Sequence, residues 1–117
     1  MEDILKDALR TEHAVPKKGA DAARDGPKIM IIGTGGAGCN SVNRLARQGI
    51  KGAEIVAINT DKVHLQTVNE TIKKILIGAS LTKGMGAGGY PEMGMKAADL
   101  SRDALEKIMS GVDLLFL

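Results

Sequence analysis

The segment GTGGAGCN, residues 33–40, sets four glycines within eight positions directly behind the apolar run KIMII. Consecutive glycines let backbone N–H groups turn inward and approach phosphate oxygens without interference from Cβ. A helix starting near Ala37 or Gly38 would add unsatisfied N–H groups and the positive end of its dipole. Gly33, Gly35 and Gly38 fit the G-x-G-x-x-G spacing of a dinucleotide turn. Asp61 stands near the position where such a site holds an acid for the ribose hydroxyl, but it is equally suited to cap the next helix. No Gly-Lys-Ser/Thr follows a glycine loop, which excludes a Walker P-loop. A second glycine loop, GMGAGG at residues 84–89, separates the remaining ligands. A dinucleotide needs one phosphate loop, whereas two on one sheet edge suit a nucleoside triphosphate gripped from two sides.

These loops need a scaffold, and the pattern from Lys28 onward supplies one. KIMII reads as a strand buried on both faces, and AEIVAIN and KKILIG read the same way. Val42, Leu45, Ala46 and Ile50 fall at helical spacing after the first loop, with Gly49 placed to end that helix. TDKVHLQTVN is a short connection with Thr60 and Asp61 as N-cap candidates. ASLTKGMGAGGYP reads as a loop, and Pro91 suits a first helical turn. Met93, Ala97, Leu100, Ala104 and Ile108 predict one helix with a single buried stripe, ended by Gly111, and VDLLFL begins a fourth strand. Such alternation implies right-handed βαβ units and a parallel sheet covered on both faces, a three-layer Rossmann-like α/β fold. Both glycine loops follow strands, so they belong at one edge of the sheet. The chain stops at Leu117 inside an apolar strand, from which we expect a fragment of a longer protein.

Composition excludes several classes. The 117 residues suit one small domain, with 16 basic and 14 acidic side chains and no basic stripe. One Tyr, one Phe and no Trp leave no stacking platform for single-stranded nucleic acid. No apolar run approaches the ~18 residues that span a bilayer, and the acidic start is unlike a secretory signal. A single cysteine, Cys39, points to a reducing, cytoplasmic setting. With no base beside it in sequence, Cys39 reads as a small loop residue. His13 and His64 lack partners at metal-ligand spacing. Met85, Met93 and Met95 read as loop and core fillers, and Lys73-Lys74 as a solvated pair. Residues 1–27 form an amino-terminal extension: a short amphipathic helix over 2–10, with Ile4, Leu5, Ala8 and Leu9 on one face, and then a tether.

GTGGAGCNSVNRL, GAEIVAINTD, KKILIG and LTKGMGAGGYPEMG, in this order and spacing, resemble the amino-terminal part of the tubulin/FtsZ family, the filament-forming GTPases of prokaryotic cell division. The resemblance covers residues 28–117, points to the archaeal branch, and implies the strand order 3-2-1-4. It further implies that Gly35, Gly36, Ala37 and Gly38 hold the α- and β-phosphates of GTP or GDP through backbone donors. Cys39 stands where many relatives carry Asn, so only its backbone is carried over, and Asn40 is implied in base or ribose recognition. Ala87, Gly88 and Gly89 are implied to face the γ-phosphate, with Asn59, Thr60 and Asp61 as a further nucleotide loop. Mg²⁺ is expected on the phosphates with no protein ligand. The family's signature glycine-threonine run and the catalytic aspartates of the carboxy-terminal domain are missing, so no catalytic residue is assigned and the fragment is expected to be inactive. The implied partners are further copies of the protein in filaments and other cell-division proteins, at mid-cell, with membrane contact only through those partners. The rivals are an NAD-binding Rossmann domain and a non-catalytic filament regulator of the same family.

Overall fold

The computed structural model describes residues 26–117, so the expected helix over 2–10 and nearly all of the tether lie outside the described residues. Strands β1 (Ile29–Thr34), β2 (Ala53–Asn59), β3 (Lys73–Leu76) and β4 (Leu114–Phe116) form one parallel sheet in the order β3-β2-β1-β4. Between them run helices α1 (Gly35–Gln48), α2 (Lys62–Gln66), α3 (Ala79–Thr82), α4 (Pro91–Leu100) and α5 (Arg102–Met109). The strand order matches expectation.

Strand alternation sorts the apolar residues into two cores. On one face Met30, Ile32, Val56, Ile58 and Ile75 pack with Ala97 and Ile108 of α4 and α5. On the other, Ala57 and Leu76 pack with Cys39 and Val42 of α1 and Leu65 of α2. Each layer therefore covers what its neighbour cannot expose. Gly49, in the left-handed conformation at φ 78°, ends α1 and donates its N–H to the Ala46 carbonyl.

The tightest packing lies where β1 turns into α1. A Cβ on Gly33 would overlap the Gly38 carbonyl, and one on Gly38 would sit 3.0 Å from the Gly33 carbonyl carbon. Two of the motif's glycines are therefore demanded by backbone touching backbone.

Several expectations need correction. The single helix over 93–108 is two, broken at Ser101, whose Oγ accepts a hydrogen bond from the Gly78 N–H at 3.0 Å. Ala97 and Ala98 of α4 and Leu105 and Ile108 of α5 meet the core, while Leu100 at the end of α4 faces solvent. The loop after β3 contains the short α3, and α1 begins at Gly35 rather than Ala37. Met85 and Met95 are 78% and 66% exposed, so neither fills a core. Lys73 is not solvated: its side chain is 9% exposed, with Nζ 4.0 Å from Oε1 of Glu54 on β2. Exposed apolar side chains on β4 (Leu114, Leu115 and Phe116) complete the edge of the sheet.

Substituting Gly33→Ala should cost about 1–3 kcal/mol, because the new methyl group must push α1 away from β1. Urea unfolding of the intact protein measures this, and a midpoint equal to that of the parent would contradict the packing described.

Candidate functional site

The candidate site lies at the carboxyl ends of β1, β2 and β3, where ligands of open α/β sheets bind. The first turn of α1 is built for an anion. Its N-cap, Thr34, makes no side-chain capping bond, and no acidic residue occupies the first turn. The leading N–H groups of a helix have no intrahelical partner, so they point outward here beside the positive dipole end. Gly35 needs its glycine for a φ of 70°, while Gly33 and Gly38 need theirs for packing. Gly36 has neither reason: its φ is not positive and a Cβ there would meet nothing within 4 Å. The open space over Gly36 is room for a ligand to approach the backbone.

Cys39 is not the loop residue expected from sequence. It sits inside α1 at 0% exposure, its Sγ 3.5 Å from the Ile58 carbonyl oxygen. Burial pushes its thiol above the ordinary 9.0, against smaller lowering effects from the Ile58 backbone and the Asn59 side chain. The side chain therefore serves the core and is turned away from any phosphate. Asn40 and Ala37 are exposed on the first turn and a half of α1, and Asn40 borders a shallow groove along the outer face with Arg44 and Gln48.

The second turn is rigid because Asn59 holds it. Its Oδ1 accepts from the N–H groups of Thr60 at 2.8 Å and Asp61 at 3.1 Å. With that oxygen committed, Nδ2 faces His64 Nδ1 at 3.3 Å. An amide nitrogen only donates, so His64 accepts on Nδ1 and carries its proton on Nε2. Asp61, not Thr60, caps α2: its Oδ1 accepts from the His64 N–H at 3.1 Å. That bond favours the capping role over the ribose-binding one.

The third loop is clamped to the second. The Lys62 N–H donates to the Gly84 carbonyl at 2.9 Å, and the Gly86 N–H donates to the Thr60 carbonyl at 3.2 Å. Buried Thr82 reinforces the joint, with Oγ1 3.3 Å from the Thr60 carbonyl oxygen and accepting from the Gly84 N–H at 3.3 Å. Beyond the clamp, Ala87 is half-buried, while Gly88 and Gly89 are exposed with φ of 65° and 78°. Sequence reasoning missed His64, Thr82 and Ser101. A threonine two residues before GMG carries no distinguishing signal until the tertiary contact exists.

Fold and loops together define a doubly wound α/β protein with two glycine-rich loops at one sheet edge. The family model described as "Tubulin/FtsZ family, GTPase domain" matches residues 28–117. The chain is 56% identical over 89 residues to "Cell division protein FtsZ 2" of Methanocaldococcus jannaschii, covering 76% of this chain and 23% of that protein. It is 41% identical over 121 residues to "Cell division protein FtsZ 2" of Haloferax volcanii, covering 99% and 30%. Among solved structures, "FtsZ dimer, empty" from M. jannaschii aligns with a TM-score of 0.74 at 37% identity, covering 86% of this chain and 30% of that one. "CetZ1 from Haloferax volcanii - GDP bound monomer" aligns with a TM-score of 0.61 at 32% identity, covering 75% and 30%. This chain belongs to the tubulin/FtsZ family, within its GTPase domain. It spans 23–30% of the length of these relatives. Among the described residues no helix is long and apolar enough to cross a membrane.

Two measurements test this geometry. Asn59→Ala should lower stability by about 1–3 kcal/mol, since two backbone donors lose their acceptor, and should raise amide hydrogen exchange at Thr60, Asp61 and Gly86 together. Exchange confined to residue 60 would break the proposed clamp. Because burial raises the folded thiol's pKa, Cys39 contributes stability in full below its unfolded value and loses it as pH rises through 9 toward the folded value. The urea midpoint should therefore fall more steeply between pH 8 and 10 for the parent than for Cys39→Ala.

Proposed function

We propose that this chain binds a guanine nucleoside triphosphate or diphosphate and forms the nucleotide-holding part of a filament-forming, cell-division GTPase. The observation that carries the reading is Gly36, a glycine with no conformational or packing need at an uncapped helix start free of acidic residues. Backbone N–H groups of Gly35, Gly36, Ala37 and Gly38 would take the α- and β-phosphates. Cys39 and Asn40 follow on the second turn of α1, where backbone N–H groups bond within the helix, and the Asn40 side chain offers both a donor and an acceptor for the base or ribose. Ala87, Gly88 and Gly89 would meet the γ-phosphate. Since Gly86 is bonded to Thr60, loss of that phosphate would be felt through Asn59, Thr60 and Asp61 as well.

Magnesium would take its ligands mainly from phosphate and water, as the family resemblance implies. When bound, it would neutralise phosphate charge. Self-association and a role in cell division are supported by the dimeric solved relative and by the names of the curated ones. Hydrolysis would draw on residues outside this chain, as would placement at the division site.

In a protein extended to the length of its relatives, guanine nucleotides should outcompete ATP and NAD for binding. A preference for NAD would overturn the assignment. Gly36→Val should weaken nucleotide affinity at least tenfold, equivalent to about 1.4 kcal/mol, with a thermal midpoint close to that of the parent. Unchanged affinity in the folded variant would remove Gly36 from the cradle.

A further inference from the structure

One hydrogen bond at the carboxyl end of the sheet runs through a group that can change from acceptor to donor. His64 stands on the first turn of α2, half-buried, with Nδ1 3.3 Å from Nδ2 of Asn59. Its neighbours force the direction of that bond. Asn59 Oδ1 accepts from the Thr60 and Asp61 N–H groups at 2.8 and 3.1 Å, so Nδ2 faces the ring and the ring accepts. Asn59 is 8% exposed and its side chain also lies against Cys39, so the amide has little water to turn to.

We propose that His64 is a proton-operated joint, holding the loops after β2 and β3 together when neutral and releasing them when charged. Imidazole is the side chain suited to gain a proton between about pH 8 and pH 5. A proton on Nδ1 sets an N–H against the Asn59 amino group, donor against donor. Rotating the amide would give the ring an acceptor but turn the amino group onto the Thr60 and Asp61 N–H groups. Swinging the ring into water would take the acceptor away from Nδ2. Each way out costs at least one buried hydrogen bond.

The effect reaches beyond the turn. The Gly86 N–H donates to the Thr60 carbonyl at 3.2 Å, and the Lys62 N–H donates to the Gly84 carbonyl at 2.9 Å. Loosening at residues 59–61 therefore passes to residues 84–86. The charged groups nearest the joint in sequence are Asp61 and Lys62, and Asp61 uses Oδ1 to accept from the His64 N–H at 3.1 Å. Lys83 heads the clamped loop, and Glu70 follows α2 in the connection to β3. On the sheet, Lys73 and Lys74 pair with Val56 and Ala57, short of Asn59, and Glu54 lies nearer the start of β2. On α1, Cys39 lies against Asn59, and Arg44 follows Asn43, which accepts from the Asn69 N–H at 2.9 Å. The ring nitrogen Nδ1 has Asn59 as its partner, so the joint turns on that pair.

The test uses the full chain with no ligand, so its outcome is independent of what binds at the loops. At pH 8, long-range proton–nitrogen spectra should place the neutral ring's proton on Nε2; a proton on Nδ1 would overturn the proposal. Protection of the Thr60, Asp61 and Gly86 amides, corrected for the intrinsic pH dependence of exchange, should fall at least about tenfold between pH 8 and pH 5.5. Val56 and Ala57, in the middle of β2, should keep theirs. His64→Gln retains an acceptor opposite Asn59 and does not titrate, so its protection should be the same at both pH values. Unchanged protection in the parent would overturn the joint. An equal fall in His64→Gln would overturn it too, by assigning the pH dependence to another group.

Discussion

The close approach of Gly33 to Gly38 is the contact on which the rest of the arrangement depends. It lets α1 start against the end of β1 with no side chain between them. That proximity aims the uncapped first turn of α1 along the sheet edge, and it places Cys39 and Val42 over Ala57 and Leu76. A methyl group at either glycine would separate the layers and tilt the helix. The cradle's direction and one of the two cores thus follow from the same few ångströms of backbone contact.

A second constraint ties the two loops after β2 and β3 together. The loop after β3 has many glycines and, by itself, little to hold its shape. It is ordered by bonds to the turn after β2, and that turn is ordered by one buried amide, Asn59, oriented by its two backbone donors and by His64. A ligand phosphate at Ala87–Gly89 would therefore act on a braced pair of loops. Such bracing lets a small contact at one loop bias the other.

The contrast between the two ends of the sheet is equally physical. At the carboxyl ends, backbone donors and helix dipoles accumulate and favour anions. At the amino ends, the short α2 leaves aliphatic side chains and a nearly buried Glu54–Lys73 pair.

Much of this was written in local patterns. β2 falls on AEIVAIN as expected, because a strand packed on both faces is apolar at most positions. Gly49, Pro91 and Asp61 mark helix ends through φ, a missing N–H and a capping oxygen, properties each residue carries with it. The two glycine loops and their common edge also followed from order and spacing alone. What lay beyond the sequence were contacts between residues far apart in it. Ser101, where the helix breaks, accepts from Gly78, and the nearly buried Lys73 lies beside Glu54 of the neighbouring strand. Cys39 belongs to the core because α1 turns that face to β2, and Thr82 matters because the Thr60 carbonyl reaches it. Periodicity and turn chemistry are local, so the chain alone determined the strands, the helix after β1 and the candidate phosphate loops. Which side chains face ligand, core or solvent depends on neighbours that only tertiary packing supplies.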